Sequence, residues 1–292
     1  MDHDHEQEPD ALPSVDVEAA SWIVGEVRGG AQPDDVIDAM CARGWQREAA
    51  MDAVEETVRA YLAEHARNHG LPESRRVPAP TAPNGPALLP TPDREVQVLA
   101  QMRHPHVVVF GGLLSAAECD ALVAMGRERI TRSPTFNPDT GADEPHDART
   151  SEGMFFDRGE NALCAAIESR IAALLDWPLD HGEGLQLLRY GVGAQYKPHH
   201  DYFDPARPGA HVALSRGGQR VASLVMYLNT PESGGATTFP DVQFEVAPVK
   251  GNAVFFSYDR PHEMTRTLHG GAPVLAGEKW VATKWLREAP HV

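Results

Sequence analysis

Short apolar runs separated by glycine and proline fill the chain from about residue 105 onward, and this pattern restricts the fold more than any other feature. The first run, Val107–Phe110, is followed directly by Gly111 and Gly112. Many short strands with turn residues between them are typical of an antiparallel sandwich or barrel. The later predicted strands are Leu185–Tyr190, Arg220–Asn229, Val242–Val249, Ala253–Ser257 and Lys279–Leu286.

Two helices are predicted in the same region, so its fold class is α+β. Ser115 begins the first, with Glu118 at the position of a capping box, and this helix extends to about Ile130. The second runs from Gly159 to Asp176, because the Trp177-Pro178 pair that follows disfavours helical backbone. Between them, residues 134–147 are rich in proline, aspartate and glycine, which is typical of a mobile flap or of an ordinary exposed loop.

The first quarter of the chain has a different pattern. Residues 1–14 predict a disordered acidic tail, and residues 15–70 predict a small acidic all-α bundle. Pro33, followed by two aspartates, marks a helix start and Gly44 marks a stop, so three helices result. In the third helix, apolar residues recur at helical spacing: Ala50, Val54, Val58, Tyr61 and Leu62. The bundle is interpreted either as a protein-docking module or as a solubilising or dimer-supporting appendage.

The charge distribution restricts the partners and the location. Of the net charge of -16, most lies in residues 1–70, which carry 16 acidic and 5 basic side chains. An acidic surface repels nucleic acid phosphates and anionic lipid, so no nucleic acid partner is expected. No apolar run reaches the length of a membrane span, and the N-terminus lacks the pattern of a signal peptide. Three widely spaced cysteines argue against disulfide bonds and favour the cytoplasm: Cys41, Cys119 and Cys164.

Seven prolines between residues 71 and 92 predict a linker, which we assign to residues 71–95. Its proline density is typical of an extended, semi-stiff spacer. A proline-rich ligand for another protein is the alternative interpretation. The remainder of the chain, residues 96–292, is then the second and larger domain.

The stretch Tyr196–Phe203 carries the strongest chemical signal. Because strand side chains alternate between faces, His199 and Asp201 point the same way while His200 points to the opposite face. Two imidazoles and one carboxylate form the metal-binding triad of mononuclear Fe(II) oxygenases, and His269 is the candidate for the second imidazole. Such a triad leaves open positions on the metal that a bidentate 2-oxo acid and dioxygen can fill.

Lys279 opens the last predicted strand and lies 10 residues after His269. The side chains that share its face of the strand are Val281, Thr283 and Trp285. A lysine that points into a barrel requires an anionic partner, because an unpaired buried charge is costly. The distal carboxylate of 2-oxoglutarate supplies that charge, and Tyr190 and Thr237 are candidates for further hydrogen bonds to it.

Residues from about 105 to 288 resemble the catalytic domain of the prolyl 4-hydroxylase family of Fe(II)/2-oxoglutarate dioxygenases. Beyond the triad, the resemblance is carried by four blocks in order: Arg149–Phe155, Gln219–Leu228, Gly234–Pro240 and Lys279–Trp285. It implies a double-stranded β-helix, or jelly roll, whose open end holds the metal. The chain departs from the family at Ala236, where a glutamate is common.

The resemblance also implies roles for individual residues. The catalytic residues, which bind the iron, are His199, Asp201 and His269. Lys279 anchors the C5 carboxylate of 2-oxoglutarate, with support from Tyr190, Thr237 and Thr283. The residues implied to line the approach of the prolyl substrate are Arg149, Tyr196, Arg220 and Trp285.

The expected function is therefore hydroxylation of a prolyl residue in a peptide or protein. The co-substrates are 2-oxoglutarate and dioxygen, the products include succinate and carbon dioxide, and L-ascorbate is expected from the resemblance to keep the iron reduced. Two alternatives remain. The same centre can act on a free amino acid or another small molecule, or the barrel can bind peptide and metal without turnover.

Overall fold

The structure is a computed structural model that describes residues 15–81, 85–132, 135–136, 143–144 and 150–292. It divides into two compact units, Met1–Glu73 and Ser74–Val292, the first of which is described from residue 15. The predicted tail over residues 1–14 lies outside the described residues, as do most of the proline-rich segment 134–147 and Arg149. No helix among the described residues combines the length and the hydropathy that crossing a bilayer requires.

Three helices form the first unit: α1 (Val17–Arg28), α2 (Pro33–Cys41) and α3 (Arg47–Asn68). The Asp16 carboxylate begins α1 by accepting a hydrogen bond from the Ala19 N–H, and Pro33 begins α2 as predicted. The core of the unit consists of Ile23, Val36, Ile37, Met40, Ala50, Ala53 and Val54. The expectation for Leu62 was wrong: it is exposed, because it lies about 100° around the helix from Tyr61.

In the described part of the second unit the α-helices are α4 (Ala116–Arg129), α5 (Ala162–Leu175) and α6 (Ala210–Leu214). The capping box predicted at the start of α4 is present, with the Ser115 side chain and the Glu118 side chain each bonded to the other's backbone. Helix α5 begins later than predicted, because the Asn161 side chain accepts the Cys164 N–H and so caps the helix there.

The strands of this unit follow the expected pattern of short elements. In the first half they are β1 (Leu88–Pro90), β2 (Glu95–Met102), β3 (His106–Gly111), β4 (Thr131–Arg132), β5 (Thr135–Phe136), β6 (Asp143–Glu144), β7 (Glu152–Phe156), β8 (Leu185–Tyr190) and β9 (Tyr196–His199). In the second half they are β10 (Arg220–Tyr227), β11 (Ser233–Gly234), β12 (Thr237–Phe239), β13 (Phe244–Val246), β14 (Ala253–Ser257), β15 (His269–Gly271), β16 (Val274–Ala276) and β17 (Lys279–Arg287).

These strands form two main sheets. The larger has nine strands in the order β1-β2-β3-β14-β10-β17-β8-β7-β4, and the smaller has four in the order β13-β12-β15-β9. Every pairing is antiparallel. Strands distant in sequence therefore become neighbours, as in the jelly roll that the resemblance implied.

A hydrophobic layer covers each face of the large sheet. On one face, Leu122 of α4 and Ile167 of α5 pack in the same cluster as Leu224 and Trp280 of the sheet. On the other face, Tyr227 and Val281 belong to a cluster that includes Phe239 of the small sheet. The large sheet is thus the middle layer of the unit, between helices and the small sheet, and the site lies between the two sheets.

The structure corrects two predicted boundaries. The linker assigned to residues 71–95 ends too late, because β1 within it pairs with β2 at the edge of the large sheet, with Leu89 opposite Val96. Proline is tolerated in an edge strand such as β1, since only one side of its backbone pairs. The strand predicted over Val242–Val249 is shorter, because residues 240–242 form a 3-10 turn and Gln243 has left-handed backbone.

Candidate active site

Two adjacent strands of the small sheet bring the predicted metal ligands together. His199 at the end of β9 lies directly opposite His269 at the start of β15. Asp201 follows two residues after His199, and its two carboxylate oxygens are each 3.5 Å from one imidazole Nε2. The three candidate ligand atoms all lie within 4.8 Å of one another, which is close enough to bind a single ion.

Backbone carbonyls orient both imidazoles toward this point. Nδ1 of His199 is 2.9 Å from the Lys197 carbonyl, and Nδ1 of His269 is 3.0 Å from the Thr267 carbonyl. Since a carbonyl only accepts, each Nδ1 carries the hydrogen, and Nε2 is the nitrogen of each ring that is directed to the site. Burial lowers the pKa of His269 to about 4 against the opposing effect of Asp201, so this imidazole is neutral at pH 7, as a metal ligand must be.

The Asp201 carboxylate is buried but ionised. Burial acts to raise its pKa, yet the neighbouring imidazoles of His269 and His199 hold that pKa well below its usual value. The Ser223 hydroxyl donates a hydrogen bond to Asp201 Oδ2 at 2.6 Å. Two imidazoles and one ionised carboxylate are the donor set that suits Fe(II).

Lys279 lies in the same cavity and is only 4% exposed. Among the described residues, no carboxylate forms an ion pair with it, although the rings of Tyr190 and Tyr227 lie 5.5 and 5.8 Å from its Nζ. Burial without a counter-ion lowers the pKa of Lys279 to about 8. An unpaired ammonium inside the cavity is a site for an anion, because a bound carboxylate would remove the cost of burying the charge.

Most of the predicted site residues line this cavity together with the triad and Lys279: Tyr190, Tyr196, Thr237, Thr283 and Trp285. The Tyr196 ring stacks on the His199 imidazole, with centroids 3.7 Å apart. The alternation predicted for β17 is observed. The side chains that line the cavity from this strand are Lys279, Val281, Thr283 and Trp285.

Arg220, which the resemblance implies on the substrate approach, lies next to a residue of the cavity wall, Trp285. The Arg220 guanidinium has a partner on one edge and another on one face. Its Nε and Nη2 bind the Glu183 carboxylate at 2.7 and 2.8 Å, and its plane lies over the Trp285 ring at 3.9 Å. Arg220 therefore supports the Trp285 ring from outside the cavity lining.

The sequence interpretation missed several polar residues around the site. Ser223 and Tyr227 share the cavity face of β10, where Ser223 binds Asp201 and the Tyr227 hydroxyl donates to Thr237 at 2.8 Å. Tyr258 in turn bonds to Ser223, with the two oxygens 2.9 Å apart. Alternation along Gln219–Leu228 could have placed Ser223 and Tyr227 on one face, but no signal in the sequence connects Tyr258 to the site.

Comparison with known proteins decides the family. The family model described as 2OG-Fe(II) oxygenase superfamily matches residues 185–287. Prolyl 4-hydroxylase 2 of Arabidopsis thaliana is 34% identical over 226 residues, which cover 70% of this chain and 73% of the relative. The chain belongs to the prolyl 4-hydroxylase family of 2-oxoglutarate and Fe(II)-dependent oxygenases.

Two further matches cover a similar share of the chain. Prolyl 4-hydroxylase 1 of Arabidopsis thaliana is 40% identical over 202 residues, covering 63% of this chain and 69% of the relative. The crystal structure of a viral collagen prolyl hydroxylase from Paramecium bursaria Chlorella virus-1, in its 2-oxoglutarate complex, is 30% identical. That match covers 62% of this chain and 95% of the viral chain, with a TM-score of 0.48.

As a member of this oxygenase family, the chain is a 2-oxoglutarate-dependent dioxygenase. Its cavity fits the family's iron and co-substrate. The two imidazoles and the ionised carboxylate suit Fe(II), and the buried ammonium of Lys279 suits a dicarboxylic 2-oxo acid. Dioxygen is the remaining co-substrate of the family.

Proposed function

We propose that this enzyme hydroxylates a prolyl residue in a peptide or protein, with release of succinate and carbon dioxide. The observation that carries the proposal is the placement of the triad and the unpaired Lys279 ammonium in one cavity. Relatives named as prolyl 4-hydroxylases align over most of the chain, which favours a prolyl substrate over a free amino acid or another small molecule.

Lys279 binds the C5 carboxylate of 2-oxoglutarate in this proposal. Thr237 is suited to assist it, because its hydroxyl oxygen already accepts a hydrogen bond from Tyr227 and its own hydrogen is left to donate. Tyr190 lies opposite Lys279 in the pairing of β8 with β17, and Thr283 lies farther along the same face. These residues would hold the co-substrate in the cavity that the triad also lines.

His199, Asp201 and His269 bind Fe(II), which together with 2-oxoglutarate and dioxygen supplies the oxidation of a C–H bond to C–OH. The chain's own part is to orient the reactants and to exclude water. Tyr196 and Trp285 are aromatic walls of the cavity beside the triad, and they are proposed to receive the pyrrolidine ring. Arg220 acts on the substrate through Trp285, whereas Arg149 remains a proposed direct contact.

Three further assignments belong to the proposal. L-ascorbate is the expected reductant that keeps the iron ferrous. The cytoplasm is the proposed compartment, supported by three unpaired cysteines, two of which are buried and have pKa values that burial raises to about 11. The unit of α1, α2 and α3 is the proposed docking module, and its acidic composition favours a basic or neutral protein surface.

The test is an assay of proline-containing peptides with Fe(II), 2-oxoglutarate and ascorbate. We expect succinate formation together with a mass gain of one oxygen atom on proline, lost when that proline is replaced by alanine or when the enzyme carries His199→Ala. Oxygen added to a free amino acid and to no peptide would favour the small-molecule alternative. Metal and peptide binding without succinate formation would favour the silent binding module.

A further inference from the structure

Ser223 and Tyr258 form a hydrogen-bonded chain that ends on the metal-ligand carboxylate. Ser223 lies in the middle of β10 and is fully buried, as is Tyr258, which follows directly after β14. The Ser223 oxygen is 2.6 Å from Asp201 Oδ2 and 2.9 Å from the Tyr258 hydroxyl. The three side chains come from distant parts of the sequence and meet only in the folded unit.

The direction of each hydrogen bond follows from the number of hydrogens. An ionised carboxylate has none to give, so the Ser223 hydroxyl must donate to Asp201. A serine hydroxyl has a single hydrogen, so the second contact must be a donation from Tyr258 to the Ser223 oxygen. Tyr258 therefore fixes the rotation of the Ser223 hydroxyl and aims its hydrogen at Oδ2.

This arrangement makes the two carboxylate oxygens of Asp201 unequal. Each oxygen lies 3.5 Å from one imidazole Nε2, Oδ1 from that of His199 and Oδ2 from that of His269, but of the two it is Oδ2 that accepts the hydrogen bond from Ser223. A carboxylate that binds through one oxygen occupies one coordination position, whereas one that binds through both occupies two. A 2-oxo acid and dioxygen need every position that the triad leaves open, so a second carboxylate oxygen would compete with them.

We propose that Ser223, held by Tyr258, is a positioning residue that restricts Asp201 to binding the metal through Oδ1. The other two ligands are oriented by the carbonyls of Lys197 and Thr267, which no substitution removes. Asp201 is the ligand whose orientation depends on side chains, so it is the one whose support can be tested. The inference rests on the metal role of the triad and not on the identity of the substrate.

Anaerobic titration with Co(II), followed by its visible absorption, tests this without turnover. We expect Ser223→Ala to weaken Co(II) binding by about 10- to 100-fold, since partners that orient metal ligands contribute on this scale. Tyr258→Phe should weaken it less, because the Ser223 hydroxyl remains. In both variants we also expect 2-oxoglutarate to bind the Co(II)-loaded protein more weakly, as Oδ2 becomes free to occupy its position.

Ser257→Ala is the matched control. Ser257 is also buried and hydrogen-bonded, but its side chain bonds to His106 at 2.7 Å instead of to Asp201. Its loss should leave Co(II) affinity unchanged, and thermal unfolding of the metal-free proteins separates loss of stability from loss of ligand orientation. If Ser223→Ala does not fold, the Co(II) affinity of Tyr258→Phe decides the test.

The outcomes are distinguishable. Wild-type affinity in both Ser223→Ala and Tyr258→Phe overturns the inference while leaving the proposed function intact. A loss in Ser223→Ala with no change in Tyr258→Phe overturns the part assigned to Tyr258. Failure of the wild-type protein itself to bind Co(II) overturns the metal role of the triad, and with it both the proposed function and this inference.

Discussion

Strand β17 buries one lysine on each of its two faces, and the two lysines differ in whether a carboxylate pairs with them. On the helix-covered face, Lys284 Nζ is 2.5 Å from a carboxylate oxygen of Glu168 in α5. On the cavity face, Lys279 is equally buried, yet no carboxylate among the described residues pairs with it. The first charge is neutralised within the fold, and the second is left for a ligand.

The difference separates a structural charge from a functional one. Removing one partner of a buried ion pair leaves an uncompensated charge and destabilises the fold. Removing an unpaired buried charge relieves a cost, because burial alone lowers the pKa of Lys279 to about 8. The buried charge of Lys279 therefore lowers the stability of the ligand-free fold and provides a binding site for an anion.

The largest expected effect is on the helix-covered face. Lys284→Met leaves Glu168 buried and without its cation, so we expect a loss of about 3 to 5 kcal/mol in the free energy of unfolding. The measurement is denaturant unfolding of the metal-free protein. The matched substitution Lys279→Met should leave that free energy unchanged or raise it. Equal destabilisation by both substitutions would contradict the distinction between a structural and a functional charge.

A smaller effect is expected on the cavity face, and it concerns binding. Lys279→Met should weaken 2-oxoglutarate binding by about 2 kcal/mol, the usual contribution of a hydrogen bond between charged groups. Anaerobic calorimetry on the metal-loaded protein measures it, with metal affinity as the internal control. Unchanged 2-oxoglutarate affinity would show that the ammonium does not bind this anion.

The pH dependence of the same lysine sharpens the comparison. Since the pKa of Lys279 is lowered to about 8, 2-oxoglutarate affinity should fall as pH rises above 8, by at most about 1.4 kcal/mol per pH unit. In the absence of ligand, Lys279 keeps its proton in the unfolded chain at pH values where it has lost that proton in the folded protein. The free energy of unfolding should therefore rise with pH between 8 and the usual pKa of lysine. Lys279→Met should abolish both trends, and a persisting trend would assign them to another group.

The smallest effect is expected from the helical unit. Deleting residues 1–73 removes one of the two compact units and leaves the sheets that carry the triad and both lysines. We expect metal and 2-oxoglutarate affinities to change by less than about 0.5 kcal/mol, as for changes distant from a site. A truncated protein that loses metal binding would show that the two units do not fold independently.

What the sequence could predict depended on whether the decisive contact was local. The cavity face of β17 followed from alternation along one strand, and the capping box at Ser115 followed from residues three apart. The pairing of Lys284 with Glu168 spans 116 residues and left no trace in either segment. The pairing of Arg220 with Glu183 was not predicted for the same reason, since Glu183 lies on a different segment.

Two other features could not be predicted because the local pattern was ambiguous. Strand β1 lies within a run of prolines that is typical of a spacer, and only its pairing with β2 makes it part of the sheet. The chain from Tyr258 through Ser223 to Asp201 requires three segments to meet. By contrast, the triad could be proposed from the sequence, because two histidines and one aspartate are the residue types of an Fe(II) site and the blocks around them resemble the family.

The most direct test of the account is anaerobic titration of the purified protein with Fe(II) and then with 2-oxoglutarate. We predict one Fe(II) per chain, followed by binding of 2-oxoglutarate that depends on the iron and produces a visible charge-transfer absorption. His269→Ala should lose the iron and the absorption, and Lys279→Met should keep the iron and bind 2-oxoglutarate more weakly. Iron binding that persists unchanged in His269→Ala would contradict the account, because the metal would then lie elsewhere.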